Sequence, residues 1–354
     1  GWMDTTDTRP ATPLDQVAVH LHPRDEVAIA KRDLEAGLKI DLTRILEAPG
    51  SITLRQPVPS GHKLALRPLA PGKAVHRYGQ VIGQASGTIL PGEHVHTHNL
   101  RMAAPERQRA EVERRPSPIA IEAGEPRTFE GYERVDGRVG TRNYIAVIGT
   151  VNCSAHACRQ IAHHFTPERL ADYPNVDGVI ALTHHSGCET NLQYLRPTLA
   201  GMACHPNVGA ALVVGLGCEG HQVDGVLEVA SDCICGDPVL AHTERLVIQE
   251  LGGLGNTIQA GIAAVERFLP EVNTARRTPQ PLSKLMLALQ CGGSDGWSGI
   301  TANPLVGRVS DLVVGQGATV VLAETPEIFG AEHLLAARAR SPEVAAQRLS
   351  LVRD

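Results

Sequence analysis

The run Tyr144-Ile145-Ala146-Val147-Ile148-Gly149-Thr150-Val151-Asn152-Cys153-Ser154 shows in one stretch how most of the chain is built. It opens on an uncharged apolar segment with the length and texture of a buried strand, breaks into a small polar loop, and passes into helical spacing through Cys158, Ile161 and Ala162. The pattern recurs. Residues 179–183 lead into His184-His185-Ser186-Gly187-Cys188-Glu189, and residues 210–214 into Gly215-Leu216-Gly217-Cys218-Glu219-Gly220-His221. Strand, loop and helix repeated with crossovers of helical length predict an α/β body with a mainly parallel sheet. Such a sheet brings Cys153, Cys188 and Cys218 to one edge, with Cys291 following the same rule in the next segment and no disulfide among the four.

That next segment, 285–304, reads LMLALQCGGSDGWSGITANP. Its glycines let a backbone pass close to a ligand. Ser294, Asp295, Thr301 and Asn303 supply hydroxyl, carboxylate and amide groups suited to a polyhydroxylated anion. The plain alternative is a glycine-rich turn with local hydrogen bonds. Gly215-Leu216-Gly217-Cys218-Glu219-Gly220 matches a dinucleotide fingerprint, but no acidic residue ends the next strand at the spacing a ribose requires.

The chain has 354 residues and a formal net charge of −5, which excludes a basic nucleic-acid surface as its main feature. No apolar run is long enough to span a membrane, and the first residues lack the layout of a signal peptide. Eight cysteines in such a chain predict reduced thiols and a cytoplasmic setting. Three readings of the strand-end cysteines stay open: buried small hydrophobes, soft-metal ligands, or thiols lining a site. No C-x-x-C pair favours the metal reading, and Cys233-x-Cys235 is the only close pair.

Residues 14–100 differ in texture. Short strand-like runs alternate with Pro/Gly turns, which predicts a small β-rich domain with one helical turn. Its polar signature is histidine: His20, His22, His62, His76, His94, His96 and His98. Residues two apart on a strand share a face, so His96 and His98 are placed to act on one substrate or metal, or else to line a solvated face. Residues 101–128 turn to charge and proline and read as a linker, leaving 129–354 as the body.

Several longer runs carry a family resemblance. They include Gly61-His62-Lys63, Tyr78-Gly79-x-x-Ile82-Gly83, Gly92-Glu93-His94-Val95-His96-x-His98-Asn99, Gly137-x-Val139-Gly140-x-Arg142-Asn143, His205-Pro206-Asn207-x-Gly209, Cys291-Gly292-Gly293-Ser294-Asp295-Gly296-x-Ser298-Gly299-Ile300-Thr301-Ala302-Asn303-Pro304 and Glu324-x-Pro326-Glu327-x-Phe329-Gly330-Ala331-Glu332. The chain resembles the altronate/galactarate dehydratase family over about residues 17–340. The resemblance implies an N-terminal SAF (β-clip-like) domain, an α/β body, and dehydration of a sugar acid with Fe(II), Mn(II) or a similar divalent cation. Glu26 and Gly220-His221 depart from the family pattern, which leaves room for a different acid. The family pattern also implies a further portion beyond the position of Asp354, so the chain is expected to be a shortened form.

Within that reading His96, His98, His62 and Asp295 are the candidate catalytic groups, and His22, His96 and His98 the candidate metal ligands. Arg142, Asn143, Ser294, Thr301 and Asn303 are the candidate substrate contacts. Cys153, His184, Cys188, Cys218, Glu219 and Cys291 are further candidates lining the site. The partner is a small-molecule sugar acid, neither nucleic acid nor membrane, and a homo-oligomer is compatible with the reading. Galactarate, a sulfonated hydroxy acid, and a non-catalytic sugar-acid-binding role are the alternatives.

Overall fold

The computed structural model describes residues 10–44, 50–102, 125–188, 192–220, 222–236, 240–290, 292–293 and 295–352. The chain forms two compact units: Gly1–Glu122 with Leu287–Leu312 and Val320–Asp354, and Ala123–Met286 with Val313–Thr319. The body expected to run unbroken from 129 to 354 therefore divides near Leu287. Most of the linker expected over 101–128 lies outside the described residues.

In the first unit the strands are short because turns interrupt them every few residues. They are β1 (Thr12–Pro13), β2 (Ala18–Val19), β3 (Val27–Ala30), β4 (Lys39–Asp41), β5 (Ser51–Thr53), β6 (Lys63–Ala65), β7 (Ala74–Arg77), β8 (Gln80–Ala85), β9 (His94–Val95) and β10 (Leu100–Arg101), with one helical turn at Leu14–Val17. Three small sheets result, ordered β2-β3-β6-β9, β1-β4-β5 and β10-β8-β7. Every residue of β3 is buried. Alternate residues along it serve two cores, Ala28 and Ala30 packing with Leu14, Ile40 and Leu64, and Val27 with Leu69, Val75 and Val95.

Two buried carboxylates fix the β7–β8 hairpin to the β3 entry. Asp25 accepts the backbone N–H groups of Tyr78 (2.9 Å) and Gly79 (2.7 Å), and Glu26 accepts that of His76 (2.8 Å). Buried carboxylates persist only where such donors replace water.

The second unit holds β11 (Thr128–Glu133), β12 (Val139–Gly140), β13 (Tyr144–Gly149), β14 (Gly178–Leu182), β15 (Val208–Gly215), β16 (Thr243–Val247) and β17 (Thr278–Pro281). The sheet β14-β13-β15-β16 is parallel throughout. Ile145, Val147, Leu212 and Val214 face the helices Ala155–His164 and Leu254–Val272; Ala146, Ile148, Ala211 and Val213 face Leu192–Ala203 and Val223–Val229. Helices on both faces explain the unbroken apolar runs. The sheet β12-β11-β17 is antiparallel, so this α/β unit is mixed in its strand pairing. β18 (Met286–Leu289) and β19 (Thr319–Leu322) form a separate pair.

One expectation about sulfur is corrected. Cys204 and Cys235 form a disulfide, although no spacing marks them as partners across 31 residues. Cys153, Cys158 and Cys218 are free thiols. No helix among the described residues is long and apolar enough to cross a membrane.

Candidate functional site

Antiparallel pairing of β6 with β9 matches Lys63 to Val95 and Leu64 to His94. Continued one step, the same register sets His62 opposite His96. Leu64 is driven inward and fully buried. The histidines gather where the two strands end. His62 Nδ1 lies 2.9 Å from His94 Nε2, and the His62 and His96 rings stack with centroids 5.0 Å apart and planes at 16°. His98 joins through His94, at 5.4 Å between centroids. The turn beyond β9 is pinned by Asn99, whose Oδ1 accepts the His96 N–H and whose amide donates to His94 O.

A cavity of about 560 Å³ opens on this cluster, within the range of small-molecule sites. His62, His96, Lys63 and Arg77 line one side; Asp295, Gly296 and Trp297 line the other. Gly61 and Gly296 make the approach possible. A Cβ on Gly296 would fall 2.4 Å from Gly61 O, and Gly61 itself holds φ +78° beside the Trp297 indole. Asp295 Oδ1 accepts the N–H groups of Trp297 and Ser298, each at 2.7 Å, which shapes the loop and leaves its second oxygen outside that turn.

Electrostatics sets the protonation states. Burial, then the neighbouring His62, His98, His96 and Lys63, push His94 down to about 4. His96 is shifted in the same direction by desolvation, His62, Lys63 and His98. Both rings are therefore neutral near pH 7. Burial also lowers Lys63 and Arg77, and the Arg77 charge adds to the effect on Lys63.

The sequence candidates are divided by the structure. His62, His96 and Asp295 meet in the cavity, and His98 stands behind His94 without lining it. His22 is not among the stacked rings: its Nδ1 accepts the Arg24 N–H and its ring lies against Gly79. Thr301 and Asn303 are exposed, with the Thr301 hydroxyl donating to Trp297 O. Ser294 and Cys291 lie outside the described residues.

In the second unit, Asn143 is fully buried and its side chain is consumed: it donates to Asn175 O and Val272 O and accepts from Arg134. That removes it as a substrate ligand. Arg142 is exposed and donates to Thr141 O. Cys153, Cys188 and Cys218 do follow the ends of the parallel strands β13, β14 and β15. The loops are laced together there by Asn152 N–H to Ser186 O and Gly220 N–H to Cys188 O. His184 Nδ1 accepts the Ser186 N–H. Glu219 is buried and accepts from the Thr150 hydroxyl, Leu216 N–H and Gly217 N–H. Burial pushes this carboxyl up, but those bonds and the Glu219 N–H outweigh it and hold the group below the ordinary glutamate range.

Four imidazoles are suitable donors for a divalent transition ion. Their arrangement does not provide a ligand set. No group of three His, Cys, Asp or Glu among the described residues is spaced to hold a metal, and the His62–His94 contact engages two of the ring nitrogens with each other.

Three family models match the chain in order. Residues 16–103 match the altronate/galactarate dehydratase SAF domain, 131–273 the second domain of D-galactarate dehydratase/altronate hydrolase, and 282–354 the C-terminal part of D-galactarate/altronate dehydratase. The chain belongs to the galactarate/altronate dehydratase family. It is 37% identical over 339 residues to altronate dehydratase of Escherichia coli, covering 95% of this chain and 66% of that protein. Galactarate dehydratase (L-threo-forming) of the same species is 33% identical over 340 residues, 92% of this chain and 62% of its own length. The beta subunit of (2R)-sulfolactate sulfo-lyase of Chromohalobacter salexigens is 35% identical over 225 residues, 62% of this chain and 52% of its own. The chain thus spans about two thirds of the length of the dehydratases it matches.

Sequence reasoning misses Lys63, Arg77 and Trp297 as lining residues. The signal for Lys63 was its place beside Gly61-His62; nothing in the spacing of Arg77 marks it.

Proposed function

We propose that this chain is a sugar-acid dehydratase, or the portion of one that holds the reacting groups, acting on a 2,3-dihydroxy aldonate of the altronate type. The observation that carries the reading is the cavity in which His62 and His96 open beside two cations, facing Asp295-Gly296-Trp297. A 2,3-dihydroxy acid must lose the proton on C2 and the hydroxyl on C3 to give an enol, which relaxes to a 2-keto-3-deoxy acid.

His62 is assigned as the base at C2. If its Nδ1–H donates to His94 Nε2, its Nε2 is left with a free lone pair, and His94 acts by fixing that tautomer. The proton that His62 takes from C2 is assigned to the departing C3 oxygen, which leaves as water, with His96, neutral and stacked on His62, positioning that oxygen by hydrogen bonding. The lysine and arginine charges stabilise the negative charge that gathers on the carboxylate as the C2 proton leaves. A divalent cation of the Fe(II) or Mn(II) type stays a separate proposal, outside these steps.

The test is incubation with altronate and galactarate, with and without added Fe(II), followed as 2-keto-3-deoxy product. Product formed by the wild type and lost in folded His62→Ala supports the assignment; equal rates contradict it. The sulfolactate relative favours one second reading, loss of sulfite from a 2-hydroxy-3-sulfo acid. Sulfite release in place of water loss would select it.

A further inference from the structure

We propose that Arg77 is the residue that binds the carboxylate of the substrate, assisted by Lys63, and that it makes this cavity selective for acids over neutral polyols. The proposal rests on the sugar-acid reading of the same cavity.

The Nε and Nη2 atoms of Arg77 are buried without a hydrogen-bond partner. Together they form one edge of the planar guanidinium fork, the edge that a carboxylate meets with two parallel bonds. Among the described residues neither Arg77 nor Lys63 forms an ion pair, although both face the cavity. Two partly buried cations near one another, neither in an ion pair among the described residues, are an arrangement that an entering anion relieves.

The fold also holds this arginine in place by its backbone. Its neighbours are tied to buried carboxylates, His76 N–H to Glu26 and Tyr78 N–H to Asp25. Tyr78 takes the left-handed conformation at φ +59°, which ends the strand directly after Arg77. On the opposite side Gly299 leaves room for the guanidinium: a Cβ there would lie 2.9 Å from Nη2. The side chain is thus aimed by a rigid hairpin and accommodated by a glycine of the 295–300 loop. Arg142, the arginine that the sequence suggested for this role, is exposed and bonded to Thr141 O.

Calorimetric titration of the full chain with galactarate, altronate and the neutral polyol galactitol tests the proposal. Arg77→Gln is expected to weaken both acids by at least about 30-fold while leaving galactitol unchanged, as for loss of one member of a buried charged pair. Arg77→Lys keeps the charge but loses the fork, and Gly299→Ala displaces the guanidinium. Each is expected to weaken the acids by a smaller factor, and these two variants carry the test if Arg77→Gln does not fold by circular dichroism. Acid affinities within about threefold of wild type in any folded Arg77 variant overturn the proposal. So does a wild type that binds galactitol as tightly as the acids. Arg77-dependent binding without 2-keto-3-deoxy product would reject the dehydratase reading and keep the clamp. Turnover that is indifferent to Arg77 would do the reverse.

Discussion

The two places where this chain collects polar and reactive side chains differ in what those side chains have left to do. At the carboxyl edge of the parallel sheet, Glu219 is buried but already accepts three hydrogen bonds, and the loops bearing Cys153, Cys188 and Cys218 bond to one another. In the cavity of the other unit, His62 and His96 line open space, and the guanidinium edge of Arg77 has no partner. Position at a strand end is the usual address of a site in an α/β sheet. Here the availability of the polar groups is the better guide, because satisfied donors and acceptors hold loops while unsatisfied ones hold ligands.

The largest expected effect separates the two places by chemistry. His62→Ala should lower the turnover of sugar acid by about 10²–10⁴-fold, the usual contribution of a positioned acid or base, without a change in fold. Cys153→Ser, on an exposed free thiol, should leave turnover nearly unaltered. Steady-state assays of both variants check this. A cysteine variant as impaired as the histidine one would invert the comparison.

A stability effect comes next. Glu219→Ala leaves the Thr150 hydroxyl and two backbone N–H groups without their acceptor, and should cost on the order of 3 kcal/mol in urea unfolding. Affinity for sugar acid should not follow. A stable Glu219→Ala protein with lost binding would move the site to the sheet edge.

The pH effect is smaller and its sign follows from His94. The folded ring resists protonation down to about 4, whereas an unfolded histidine titrates near 6.5. Between those values the unfolded chain binds the extra proton, so stability is full above about 6.5 and falls as the pH drops toward 4. Glu219, depressed in the folded state, adds a loss as the pH falls through its unfolded range. Urea midpoints at a series of pH values should show the slope, and His94→Gln should flatten its upper part. An unchanged slope in that variant would assign it to other groups.

Much of this was readable beforehand where local pattern and packing agree. The runs at 144–149 and 210–214 are apolar at every step because helices cover both faces, and they are β13 and part of β15. The two-residue period did not place the histidines at 96 and 98, because β9 ends at Val95 and both lie in the turn beyond it. Long-range pairing was not legible. Cys204 and Cys235 meet through the packing of two helical segments, with no motif to announce them. The grouping of Leu287–Leu312 with the N-terminal unit is likewise a tertiary matter. Arg142 and Arg77 are alike as letters in a sequence. Only burial tells the exposed one, bonded to its own neighbour, from the one whose Nε and Nη2 are enclosed. Asn143 is a candidate substrate contact only through its place in the Gly137–Asn143 run, and its amide serves three partners inside the fold.

The central claim is that the histidine cavity removes the C2 proton of a sugar acid, and proton NMR of altronate incubated with the protein and Fe(II) in D2O tests it most directly. The account predicts that the C2 proton signal disappears as a 2-keto-3-deoxy acid grows in, carrying one solvent deuterium at C3, and that folded His62→Ala leaves the substrate intact. Consumption at the same rate by wild type and His62→Ala, or no consumption by a folded wild type that binds the acid, would contradict it.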